Sequence, residues 1–147
     1  MSDPFRFARS RRHWAVLGVS LATTPLLLAL WLFTTPDPRG FGTHEQLGLP
    51  PCRAIEWIGI PCPGCGITTS ISLLLHGDLL SSLTTQPFGP IATLLLAAFA
   101  AWGPLAALAG RDLGRDISRL RLGPWGAALG VLLALSWAYK IIAVLWG

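Results

Sequence analysis

Three long apolar runs limit what this chain can fold into. Residues 14–33 (WAVLGVSLATTPLLLALWLF) and 91–109 (IATLLLAAFAAWGPLAALA) contain no charge, and residues 124–147 contain one, Lys140. A hydrocarbon core of about 30 Å needs about 20 apolar residues in a helix, and each run meets that length. The remaining inventory agrees. Hydrophobic residues make up 52% of the chain and charged ones 12%, about half the share of an ordinary soluble domain. The mean hydropathy is +0.58. Too few polar residues remain to build a water-facing surface, so the chain reads as a small membrane protein. Tryptophans stand near the ends of the runs, Trp14 and Trp31 on the first and Trp125 and Trp146 on the third, where aromatic belts favour them. Pro25 is a kink that membrane helices tolerate. A cleaved signal peptide is the rival reading of the first run. That run exceeds a usual signal core, and the TTPDP that follows is a poor cleavage site, so a retained span is expected.

The net charge of +4 does not point to nucleic acid. Eight of the ten arginines fall into two clusters beside apolar runs, Arg6, Arg9, Arg11 and Arg12, then Arg111, Arg115, Arg119 and Arg121, and the outer segment holds the other two, Arg39 and Arg53. No aromatic residues are interleaved with them for base stacking. Basic flanks of this kind mark cytoplasmic ends. A fourth span over the charge-free residues 57–75 is disfavoured for two reasons. Its centre, PCPGCG, cannot hold a regular helix in lipid. It would also put the second arginine cluster on the opposite side. The expected architecture is therefore all-α with three transmembrane helices. Residues 1–13 form a cytoplasmic basic tail, 14–33 span one, 34–90 an outer segment, 91–109 span two, 110–123 a cytoplasmic Arg-rich connection and 124–147 span three. In the connection, Leu113, Ile117 and Leu120 share one helical face and arginines line another, which predicts an interfacial helix facing lipid head groups.

The outer segment holds the candidate site. It begins as a Pro- and Gly-rich loop, passes Cys52, and reaches GIPCPGCGITTSISLLL, where Cys62 and Cys65 lie three apart. The helix expected after Gly66 is too short to span and reads as re-entrant or interfacial. Asp78 is placed to cap a second short helix over 79–84.

The run GIPCPGCGITTSISLLLHGDL, followed by QPFGP, resembles the membrane family known as domain of unknown function 2752. The resemblance covers about residues 48–147 and rests on Cys52, Cys62, Pro63, Cys65, Gly66, Thr68, Gly77, Asp78, Pro87 and Lys140. It implies a bacterial inner-membrane protein and brings no activity with it. Two positions depart from the family pattern: Thr69 stands where arginine is usual, and Gln86 where asparagine is usual.

Three readings of the cysteines stay open. As a redox pair, Cys62 and Cys65 gain thiolate character from the helix that follows, but no thioredoxin-like βαβ unit presents them. As a zinc site, Cys52, Cys62 and Cys65 need a fourth ligand, for which His44 and His76 are weak candidates. As a structural staple, a disulfide from Cys52 to Cys62 or Cys65 closes a loop of about a dozen residues and contributes about 2–4 kcal/mol. The staple is preferred. Lys140 lies about 10 Å from the end of its helix, and is expected to snorkel or to pair with Asp78 or Glu56. Gly126, Gly130 and Ala134 form a small-residue stripe suited to helix packing. No P-loop, zinc-protease or nucleophile-elbow motif occurs and the acids are scattered, so enzymatic activity is not indicated. The function expected is that of an accessory or assembly subunit in contact with lipid and with other membrane proteins. The alternative is thiol–disulfide or metal handling.

Overall fold

The computed structural model describes residues 10–120 and 122–146, so Arg6, Arg9 and Arg121 lie outside the described residues. The described chain is all helical: α1 (Arg11–Phe33), a 3₁₀ turn (Thr43–Leu47), α2 (Arg53–Ile58), α3 (Ile67–Leu75), α4 (Leu79–Thr85), α5 (Phe88–Leu108), α6 (Leu113–Arg119) and α7 (Leu122–Trp146). Three of these, α1, α5 and α7, are long and apolar enough to cross a membrane. Each begins two or three residues before the apolar run it contains. The cause is visible for α1, where Ser10 caps the helix by accepting from the His13 N–H at 3.1 Å. Pro124 falls in the first turn of α7, where a missing N–H costs nothing.

Helices α1 and α5 lie against each other because small residues let them. A Cβ on Gly103 of α5 would land on the Ser20 side chain of α1. Ser20 Oγ donates to the Phe99 carbonyl at 2.8 Å, so the contact also satisfies a polar group in an apolar setting. Beyond them at one pole sit α3 and α4. With nine residues, α3 is about 14 Å long and cannot span. Its Thr69, Ser70, Ile71 and Ser72 are all buried, wrapped by neighbours on every side. The hydroxyls find partners. Ser82 Oγ donates to the Ser70 carbonyl at 2.7 Å, Ser70 Oγ lies 2.8 Å from the Ser82 carbonyl, and Thr34 meets Ser72 at 3.1 Å. Gly89 at the start of α5 is bare for the same reason as Gly103, since a Cβ there would land on Ser70.

The opposite pole carries Arg11, Arg12, Arg111, Arg115 and Arg119. Asp112 caps α6 through the N–H groups of Gly114 and Arg115, and Leu113 is fully buried. The Leu113 N–H donates to Nδ1 of the buried His13, which ties α6 to α1. The expected amphipathic face is only partly realised. Leu113 is covered and Ile117 half-covered, but Leu120 lies past the end of the helix and is exposed.

Helix α7 stands apart. Its buried residues are Ser136 and Lys140, both toward the cysteine pole. Along the stripe of small residues, a Cβ at Gly126 or Gly130 would meet nothing within 4 Å. Among the described residues the stripe therefore packs on no other part of the chain.

These contacts separate two kinds of glycine. Gly103→Ala forces the α1–α5 contact apart and should destabilise the protein by about 1–3 kcal/mol, whereas Gly130→Ala should be neutral or slightly stabilising. Thermal unfolding of both variants in mild detergent checks the contrast.

Candidate functional site

Three backbone features bring the cysteines together. Cys52 is the N-cap of α2, and its carbonyl accepts from the N–H groups of Ile55 and Glu56. Cys62 and Cys65 close a tight turn in which the Cys65 N–H donates to the Cys62 carbonyl at 2.9 Å, with Pro63 and Gly64 exposed at its tip. Gly66 then enters α3 at φ +85°, a conformation that disfavours any side chain. Its neighbours disfavour one as well, because a Cβ there would come 2.8 Å from the Gly40 carbonyl and 3.2 Å from Lys140 Cε. The chain can bring Cys65 this close to the first loop only because residue 66 is bare.

The result is a cluster of three sulfurs, Cys52, Cys62 and Cys65, all within 4.8 Å of one another. All three are free thiols. Cys65 is 4% exposed, while Cys52 and Cys62 are half-buried. Their acidities diverge. Burial pushes the Cys65 thiol up to about 12, helped by its hydrogen bond with Cys52 and by the charge of its neighbours. Burial also raises Cys52, but the N–H groups of Ile55 and Cys62 and the Cys65 and Cys62 thiols favour its thiolate more, and bring it to about 7. Cys52 also lines a cleft of about 300 Å³ with Phe41, Ile55, Glu45 and Glu56. Nearby, Arg39 is held by Asp37 at 2.8 Å and Glu45 at 3.0 Å.

Residues 52–100 match the family described as a protein of unknown function, DUF2752. This segment is similar to the DUF2752 family. It runs from the first cysteine through α2, α3 and α4 into α5, so the sulfur cluster lies wholly within it. The match is narrower than the expected 48–147, and α1, α6 and α7 lie outside it. No curated protein and no solved structure matches the chain.

Within the DUF2752 segment, the other motif residues have structural duties. Gly77 takes φ +89° and ends α3, and the Asp78 carboxylate caps α4 by accepting from the Ser81 N–H at 2.9 Å. Hydrogen bonds from the Ser81 hydroxyl and then from its N–H hold the Asp78 carboxyl below its usual range. Pro87 precedes the first residue of α5, and Thr68 lies half-buried in the first turn of α3. Thr69, at the position where the resemblance implies arginine, is buried and accepts from Thr43 Oγ1 at 2.9 Å. Neither histidine joins the sulfurs. His44 Nε2 contacts the Pro50 carbonyl at 3.1 Å, and His76 Nδ1 contacts the Ser72 carbonyl at 2.8 Å.

Lys140 is not joined to Asp78. Its ammonium, on a residue 5% exposed, donates to the carbonyls of Gly40 at 3.0 Å and Thr85 at 3.1 Å, and lies within electrostatic reach of Cys65. Asp78 is engaged at its own helix cap. Three further residues of α7 act beside Lys140. Trp137 Nε1 donates to the Pro61 carbonyl at 2.7 Å, Tyr139 Oη to the Thr84 carbonyl at 2.7 Å, and Ser136 Oγ to Gln86 Oε1 at 2.6 Å. Their signal in the sequence is the polar cluster SWAYK inside an otherwise apolar span.

The divergent acidities set an order of reaction. In the reduced, metal-free protein, alkylation of Cys52 should accelerate as pH rises through about 7 and level off above it. Cys65 should stay slow to the highest pH the protein tolerates. Peptide mass mapping after timed iodoacetamide exposure across pH reads both.

Proposed function

We propose that this is a membrane protein that binds one thiophilic metal ion, zinc or copper(I) in class, through Cys52, Cys62 and Cys65. The observation behind the reading is the mutual approach of three sulfurs from two separate pieces of chain. Sulfurs on one zinc ion at about 2.3 Å lie about 3.8 Å apart, so the cluster needs only a small contraction to hold an ion. Three thiolates with no fourth ligand among the described residues suit a soft ion in trigonal coordination, or a tetrahedral ion with one open position. Such a site carries net negative charge, and the buried ammonium of Lys140 near Cys65 balances it. The protein would supply the thiolates and their fixed spacing, and the ion would tie α2 to the start of α3.

The charge distribution supports a placement in the bacterial inner membrane with the arginine pole cytoplasmic and the cysteine pole outside. A disulfide drawn from the same three sulfurs, serving as a staple or as a reversible thiol pair, is the competing use of the cluster. The reading as an accessory subunit rests on a different observation, the Gly126–Gly130–Ala134 stripe of α7 that no other described part of the chain covers. Co-purification of a second membrane protein, lost in Gly126→Leu/Gly130→Leu, is its expected signature. A lone monodisperse chain in mild detergent would remove it.

Titration of the reduced chain with cadmium should give a sulfur-to-metal charge-transfer band that saturates at one ion per chain. Each single Cys→Ser change should weaken binding by at least tenfold, while His44→Ala and His76→Ala should leave it unchanged. A band that survives Cys52→Ser would sink the three-sulfur site. Recovery of the chain from intact cells with a disulfide that resists mild reductant would favour the staple.

A further inference from the structure

Two apolar grooves flank the corner where α6 leads into α7, at the pole opposite the cysteines. The larger, about 550 Å³, is lined by Ala98, Phe99 and Trp102 of α5 with Ile117, Leu120 and Leu122. The smaller, about 310 Å³, shares those last three residues and reaches Val16 of α1, with Arg12 at its wall. They exist because this half of α7 leans on no neighbour, so the corner is open between the α1–α5 pair and the third span. In a bilayer such a gap is neither left empty nor filled with water, since its walls offer almost nothing to hydrogen-bond.

The charges around the corner select the occupant. Among the described residues at this pole there are five arginines, Arg11, Arg12, Arg111, Arg115 and Arg119, against two aspartates. Both aspartates are engaged, Asp112 at the α6 cap and Asp116 in an ion pair with Arg111 at 2.9 Å. Arg115 and Arg119 are exposed and have no ion pair among the described residues. A second copy of the chain docked symmetrically here would add the same excess of arginine to the same corner, and like charges oppose that. A lipid phosphate brings the opposite charge, and guanidinium groups bind it bidentately. The small-residue stripe of α7 lines neither groove, so this surface is separate from the one discussed above.

We propose that the α5–α6–α7 corner binds one anionic phospholipid, with an acyl chain along Phe99, Trp102 and Leu122 and the phosphate among Arg12, which lines the smaller groove, and the exposed Arg115 and Arg119 of α6.

Trp102 lies in the groove wall and reports occupancy. The full chain is reconstituted in phosphatidylcholine vesicles doped with brominated phosphatidylglycerol or brominated phosphatidylcholine. Quenching of Trp102 is taken as the difference from Trp102→Phe. The anionic probe should quench at a several-fold lower fraction than the neutral one. Arg115→Gln and Arg119→Gln should each raise the fraction required by about fivefold. Ala98→Phe, which fills the larger groove and keeps both arginines, should abolish the preference. Retention of phosphatidylglycerol through detergent extraction, counted by native mass spectrometry, gives a second reading if Trp102→Phe does not fold. Equal quenching by the two probes would overturn the proposal. So would displacement by inorganic phosphate alone, the mark of a simple anion site, or cross-linking of two copies through Ala98→Cys.

Discussion

The ammonium of Lys140 is the contact on which the cysteine pole depends. A charge within an apolar span is expensive and is kept where it finds polar partners. Here two carbonyls accept from it, Gly40 from the loop after α1 and Thr85 from the end of α4. The last carbonyls of a helix lack partners within it, and α7 supplies them from outside, Tyr139 to Thr84 and Lys140 to Thr85. Trp137 and Ser136 complete the same seam at Pro61 and Gln86. A helix that touches little else is thereby fixed at one end by directed bonds rather than by apolar packing. In lipid this is the stronger choice, since burying apolar surface between helices gains little there.

The seam and the sulfurs are one construction. Gly66, bare and left-handed, sits against the Gly40 carbonyl and Lys140 Cε. The turn that carries Cys62 and Cys65 is thus pressed between the first loop and α7, and the Trp137 bond to the residue before Cys62 holds its entry. Any ion bound by the three thiols would sit beside the positive charge that organises the pole.

Much of the fold is legible in the sequence because its causes are local. Run length and absence of charge mark the spans, Asp78 marks the start of α4, and the glycines at 66 and 77 mark the ends of α3. The site is less legible because its causes are not local. Nothing in a nine-residue gap says that Cys52 will fold back onto Cys62 and Cys65; the turn into α2 does that. Lys140 invites a carboxylate as partner, yet backbone carbonyls, which no sequence pattern reveals, serve it instead. Small residues in Gly103 and Gly89 mark close contacts, while the more regular stripe in α7 marks none within the described chain. Periodicity identifies a surface that could pack, not one that does.

Of the three sulfurs, the one outside the Cys-Pro-Gly-Cys turn has the least support. Cys52 is carried by α2, a helix of six residues none of which is buried, and Trp57 and Ile58 on it are 76% and 66% exposed. An indole and a branched aliphatic chain held outward at the end of a membrane bundle rest in the headgroup layer. Of the six residues of α2, none is fully covered by another described part of the chain, so this side of the site is open. Cys52 is therefore the sulfur whose spacing from its two partners any shift of α2 would change first.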